Sequence, residues 1–197
     1  MASINDPLLD LNLLIKKEAD EILFEKGLFS ILSSIGKPHI SGSYALDLMT
    51  WRDLDIYLQS DNIPEADFFA LGSKICTALT PVKMSFRNEL IGKTKNLPAG
   101  LYWGIYLGNE RAGAWKIDIW AVNSSECQRL IEYCTDIKQK LTPATSLQIL
   151  KIKSDCWQDP EYRRSYNSTD IYTAVIEKKI TDIERFKIYL KTIKVME

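Results

Sequence analysis

The stretch Ile40-Ser41-Gly42-Ser43-Tyr44-Ala45-Leu46-Asp47-Leu48-Met49-Thr50-Trp51-Arg52-Asp53-Leu54-Asp55-Ile56-Tyr57 decides how the rest of the chain is read. An apolar extended segment ends in Gly42-Ser43, a short irregular piece follows, and a second strand opens on Asp53-Leu54-Asp55. Side chains alternate along a strand, so Leu54, Ile56 and Leu58 take one face and Asp53, Asp55 and Tyr57 the other. Carboxylates two residues apart on a strand lie about 6–7 Å from each other. Paired carboxylates repel when both are ionised, which a divalent cation between them relieves. Magnesium suits that place, because it takes a few carboxylate oxygens together with the phosphates of its substrate. Gly42 lets backbone approach a phosphate with no Cβ in the way, and Ser43 adds a hydroxyl donor.

A third carboxylate on a neighbouring strand would complete such a site. Asp118, in Trp115-Lys116-Ile117-Asp118-Ile119-Trp120, fits: Lys116, Asp118 and Trp120 share one face, Ile117, Ile119 and Ala121 the other. An unpaired acid in so apolar a strand would be costly. Lys116 can meet a phosphate there, or neutralise Asp118.

Outward from this centre, residues 8–34 carry helical spacing that Gly27 can divide and Gly36-Lys37-Pro38 ends. Extended segments follow at 38–44 and 53–59, then a helix from Pro64 to Leu79, ended by Pro81, and strands at 82–91, 101–107 and 114–122. The polar run 108–113 suits a hairpin connection between the last two strands. After Asn123 the chain turns helical. Asn123 with Glu126, or Ser125 with Gln128, fits a capping box, and Thr142-Pro143 an N-cap with proline after it. Asp159-Pro160 breaks that helix, Ser168 and Thr181 read as further N-caps, and Thr181 with Glu184 as another capping box. The expected fold is α+β: a mixed, twisted sheet of about five strands with packed helices. Residues 1–123 form the expected core, and 124–197 a helical C-terminal subdomain packed on it and closing over the cleft.

Composition agrees with a globular domain: 197 residues, 46% hydrophobic and 26% charged. With 25 basic against 26 acidic residues, the charge balance counts against a dedicated nucleic-acid-binding module. Cys76, Cys127, Cys134 and Cys156 contain no C-x-x-C, and His39 is the single histidine, so a Cys/His zinc site is not expected. The cysteines read as small apolar residues in a reducing cytoplasm. Neither a signal peptide nor an apolar run of about 18 residues occurs, so no membrane span is expected.

Gly42-Ser43 followed by Asp53-Leu54-Asp55-Ile56 resembles the signature of the nucleotidyltransferase superfamily that includes DNA polymerase beta. The likeness is nearer to its small bacterial members, the minimal and the aminoglycoside and lincosamide nucleotidyltransferases. That resemblance implies a nucleoside triphosphate whose β- and γ-phosphates meet Ser43 beside Gly42. It implies Mg²⁺ or Mn²⁺ held by Asp53 and Asp55, with Asp118 binding the catalytic ion and helping to deprotonate an acceptor hydroxyl. The implied reaction is in-line attack on the α-phosphate, most simply moving AMP from ATP to a hydroxyl of a small molecule or a protein side chain. Trp51-Arg52 departs from the pattern, being bulky directly before Asp53. Two other readings compete: a non-catalytic nucleotide sensor or interaction module, and DNA binding through helices near 169–179 and 182–193, with Lys187, Lys191 and Lys194. Trp103, Tyr106, Trp115 and Trp120 read as core or cross-strand pairs, Arg163-Arg164 as a solvated basic loop, and His39 as structural.

Overall fold

The computed structural model describes residues 6–194. Asp6 accepts a hydrogen bond from the Leu8 amide and Pro7 supplies a preset first-turn φ, so helix α1 runs Pro7–Asp20. It continues as a π-helical turn, Glu21–Glu25. Gly27, at φ +75°, breaks the line before α2, Leu28–Ser33, as the sequence suggested. Strand β1 (Lys37–Ile40) is shorter than the expected 38–44, because Gly42 takes φ +58° and turns the chain into a single helical turn, α3 (Gly42–Ala45). Strand β2 (Asp53–Gln59) falls on the expected residues. Helix α4 (Glu65–Leu79) crosses over to β3 (Lys83–Asn88). The strand expected over 82–91 stops at Asn88, whose side chain accepts from the Leu90 and Ile91 amides and starts a short turn, α5 (Glu89–Gly92). Strands β4 (Gly100–Tyr106) and β5 (Lys116–Val122) complete a five-stranded sheet of order β1-β2-β5-β4-β3. Only β2 and β5 pair in parallel, so the sheet is mixed and the fold is α+β.

One face of this sheet is apolar. Leu54, Ile56, Leu58, Ile117, Ile119 and Ile105 are fully buried against Ile15, Leu28 and Leu32 of the first helices and Phe68 and Ile75 of α4. Burial of each such side chain contributes about 1.5–3 kcal/mol, enough to hold the register on which the other face depends.

Four further helices follow: α6 (Ser124–Lys140), α7 (Pro143–Cys156), α8 (Ser168–Ile176) and α9 (Ile183–Lys194). Asn123 caps α6 and Thr142 caps α7 as expected. The caps of the last two lie one residue away from the expected ones. Asn167, not Ser168, accepts from the α8 amides, and Asp182, not Thr181, accepts from the Arg185 amide. Asn167 and Asp182 each carry an oxygen that reaches the first-turn amides, a role such side chains commonly take at helix N-termini. These helices share a second core with Ile149, Ile152, Ile171, Val175 and Phe186 at its centre. Leu46, Leu48 and Trp51 join it from the irregular stretch before β2, so that stretch ties the second core to the sheet. Among the described residues no helix is long and apolar enough to cross a membrane.

Candidate active site

The parallel register of β2 and β5 sets Asp55 opposite Asp118 and Asp53 opposite Lys116. Asp53, Asp55, Lys116 and Asp118 therefore stand together on the polar face. Gly42 is fitted to this group: a Cβ there would lie 2.1 Å from Asp55 Oδ2. The Ser41 amide donates to the Asp55 carbonyl at 2.9 Å, locking the α3 turn against β2.

Each carboxylate has a different surrounding. Asp118 Oδ1 accepts from the Tyr102 hydroxyl at 2.6 Å, and Lys116 Nζ lies 2.5 Å from its Oδ2. Gly104, opposite Asp118 on β4, leaves room for that hydroxyl; a Cβ there would stand 2.4 Å from it. Burial raises the Asp118 pKa, Lys116 opposing and Asp53 adding to the effect. Burial acts against charge on Lys116, yet Asp118 and Asp53 outweigh it and hold the ammonium above its ordinary range. Lys116 therefore contacts Asp118, as one of its two expected roles requires. Asp53 Oδ2 forms an ion pair with Arg163 Nη2 at 2.9 Å and accepts from the Trp51 indole Nε1 at 3.5 Å, while its Oδ1 is buried without a hydrogen-bond partner among the described residues. Asp55 is pushed up to about 7, first by burial and then by Asp53 and Asp118. Among the described residues, no three Asp, Glu, His or Cys side chains close a metal cage by themselves.

Ser43 sits beside this group, and its Oγ accepts from Lys153 Nζ at 2.6 Å. Lys153 is fully buried on α7. Its ammonium also donates to the Leu48 carbonyl at 2.6 Å and lies 4.5 Å from the centre of the Trp51 ring. Burial pulls its pKa down to about 7, with Asp53 and Asp55 acting in the opposite sense. A cleft of about 180 Å³ opens from Gly42, Ser43, Asp53 and Asp55 past Tyr57. Its far wall is Leu130 and Tyr133 of α6 and Ser168, Thr169 and Tyr172 of α8.

Lys153, Tyr102 and Tyr172 were absent from the sequence-derived set. The signal for Lys153 lay in its position: Ile149, Ile152 and Cys156 are buried on α7, and residue 153 falls on the same stripe. Arg163, expected in a solvated basic loop, instead pairs with Asp53 and Glu110, at 2.9 and 2.7 Å. The bulk of Trp51 is explained by Trp157, stacked at 6.4 Å, and Tyr162, edge-on at 5.1 Å. Arg52 points the other way, forking onto Glu18 at 2.5 and 2.6 Å. The aromatic residues of the strands pack as expected. Trp103 lies among Phe68, Phe69 and Phe86, Trp120 lies against Tyr102, and Trp115 donates to Glu18. His39 meets Gln59 at 3.2 Å, away from the cleft.

No protein-family model and no curated relative matches the sequence. Solved structures do match. Cid1 poly(U) polymerase, in a complex with magnesium and 3′-dATP, is similar at a TM-score of 0.54 and 15% identity, over 81% of this chain and 48% of that one. A cytoplasmic RNA terminal U-transferase matches at 0.50 and 12%, over 85% and 50%. The polymerase core of the RNA surveillance complex TRAMP matches at 0.50 and 15%, over 86% and 55%. The chain thus spans about half the length of the proteins it resembles. At these identities the likeness is one of architecture, and it agrees with the mixed sheet, the crossover helix and the helical C-terminal layer: the chain has the nucleotidyltransferase fold.

Proposed function

We propose that this chain is a metal-dependent nucleotidyltransferase that moves a nucleoside monophosphate, AMP from ATP, onto an acceptor hydroxyl. The observation that carries the proposal is that Asp53 and Asp55 line one cleft with the Gly42-Ser43 turn, with Asp118 opposite Asp55 on the neighbouring strand. The residues fit a divalent ion. Asp53 has a buried oxygen with no hydrogen-bond partner among the described residues, and Asp55, pushed up by burial and two acidic neighbours, is a carboxylate whose charge a cation would stabilise. The lack of a closed protein cage is in keeping with magnesium, which completes its shell from substrate phosphates and water.

Asp53, Asp55 and Asp118 would hold Mg²⁺ or Mn²⁺, which when bound neutralises the triphosphate and acidifies the acceptor hydroxyl. Ser43 would donate to the β- and γ-phosphates, with the Lys153 ammonium directly behind its hydroxyl. Triphosphate charge would favour the protonated amine that burial disfavours in its absence. Asp118 would take the acceptor proton. The acceptor oxygen then bonds to the α-phosphorus as the bond to the β-phosphate oxygen breaks, and pyrophosphate leaves in line. Tyr57, Tyr133 and Tyr172 offer rings and hydroxyls to the nucleoside or the acceptor.

Small molecules and protein side chains are acceptors compatible with the near-neutral charge of the chain. The RNA terminal transferases that share the fold favour a second reading, in which the acceptor is the terminal hydroxyl of an RNA. Incubation with each α-labelled nucleoside triphosphate tests both, using an RNA oligonucleotide, aminoglycosides and a protein mixture as acceptors. Labelled product with wild type and none with Asp53→Asn/Asp55→Asn supports transfer. Nucleotide binding with no transfer to any acceptor would favour a sensor instead.

A further inference from the structure

Arg163 is held at Asp53 by more than its ion pair. Its backbone is in the left-handed region at φ +66°, a conformation that side-chain-bearing residues seldom take without support. The Arg163 amide donates to the Tyr166 carbonyl at 2.7 Å. On the other side of the loop, the Arg111 guanidinium donates to the carbonyls of Trp157 and Tyr162 at 2.9 and 3.3 Å. Trp51, two residues before Asp53, packs on both of those aromatic rings. The loop between α7 and α8 is thereby clamped so that one guanidinium spans Asp53 and Glu110, its side chain 28% exposed.

We propose that Arg163 is an internal counter-ion that competes with the divalent ion for Asp53 and keeps the metal-free site in a resting state. This rests on the nucleotidyltransferase reading above. Asp53 Oδ2 already carries the guanidinium at 2.9 Å, leaving Oδ1 as its one unpartnered oxygen among the described residues. A divalent ion between Asp53 and Asp55 would place like charges within about 5 Å of each other, a strong repulsion even at an effective dielectric of ~20. Metal binding therefore draws the guanidinium away from Asp53 and leaves Glu110 as its remaining carboxylate partner. The bulky Trp51 acquires a purpose in this scheme, because it is the platform on which the competing loop rests.

The test is Mn²⁺ binding without nucleotide, followed by the loss of the free-ion paramagnetic resonance signal. Arg163→Gln should bind Mn²⁺ at least 10-fold more tightly than wild type. Glu110→Gln, which leaves the guanidinium to Asp53 alone, should bind several-fold more weakly. Arg164→Gln, which removes an exposed positive charge next in sequence, should match wild type. Opposite shifts at 163 and 110 cannot both come from a misfolded protein. Wild-type binding with an unchanged or weaker Arg163→Gln overturns the counter-ion role and leaves the nucleotidyltransferase reading intact. An equal tightening in Arg164→Gln also overturns it, since general charge would then account for the effect. Absence of Mn²⁺ binding in every variant overturns both.

Discussion

Replacing Gly42 with alanine perturbs the site through two separable effects. The first is conformational: an alanine at φ +58° costs about 1–2 kcal/mol relative to glycine. For a chain of 197 residues this corresponds to a fall in Tm of roughly 2–8 °C. The second is a collision, because the new Cβ would lie 2.1 Å from Asp55 Oδ2. The carboxylate must swing by about 1 Å or more, and a displacement of that size at a reacting centre costs ~10²-fold in rate. Gly27→Ala serves as the matched control. Gly27 has φ +75° but nothing within 4 Å of its added Cβ, so it incurs the backbone cost without the collision. Thermal unfolding should show a comparable loss of intrinsic stability in both variants. Added ATP with Mg²⁺ should raise the Tm of Gly27→Ala as it does wild type, and fail to do so for Gly42→Ala. Gly42→Ala with full nucleotide stabilisation would refute the claim that this glycine exists to admit Asp55.

Other consequences follow from the same geometry. Lys153 has a folded pKa of about 7 against an ordinary 10.5, so between those values the unfolded chain binds the extra proton. Stability should therefore rise with pH over that window by up to several kcal/mol, and be lowest below about pH 7. Lys153→Met should remove that rise; chemical denaturation at pH 7 and pH 10 measures it, and identical pH slopes in the two proteins would contradict the assignment. Gly104→Ala would force the Tyr102 hydroxyl off Asp118, since the new Cβ would lie 2.4 Å from it. Nucleotidyl transfer should drop roughly 10- to 100-fold while nucleotide binding persists, and wild-type turnover would rule out a positioning role for Tyr102.

The parts of the fold that were legible in the sequence are those governed by local alternation. Strand β2 could be placed to the residue, because Leu54, Ile56 and Leu58 against Asp53, Asp55 and Tyr57 admit one register only. The same pattern put Asp118 on the matching face of β5, and the parallel pairing brings it opposite Asp55. Gly42 stood out as a position that needs glycine, but its sequence does not say whether the following residues stay extended or turn into a helix. That choice rests on a φ of +58° at a residue packed closely on Asp55. Lys153 and Arg163 were harder, because their partners are distant: Lys153 meets Ser43 across 110 residues. Such contacts depend on how the C-terminal helices seat on Leu46, Leu48 and Trp51, which periodicity within one helix does not encode. The caps at Asn167 and Asp182 were missed by one residue where a hydroxyl and a carboxylate or amide stand side by side.

Thermal unfolding of wild type and Asp53→Asn/Asp55→Asn with millimolar ATP, with and without Mg²⁺, probes the metal–nucleotide site on Asp53 and Asp55. Wild type should show a rise in Tm that requires both ligands and is absent from the variant. Unchanged melting of wild type, or an equal rise in the variant, would contradict a metal–nucleotide site there.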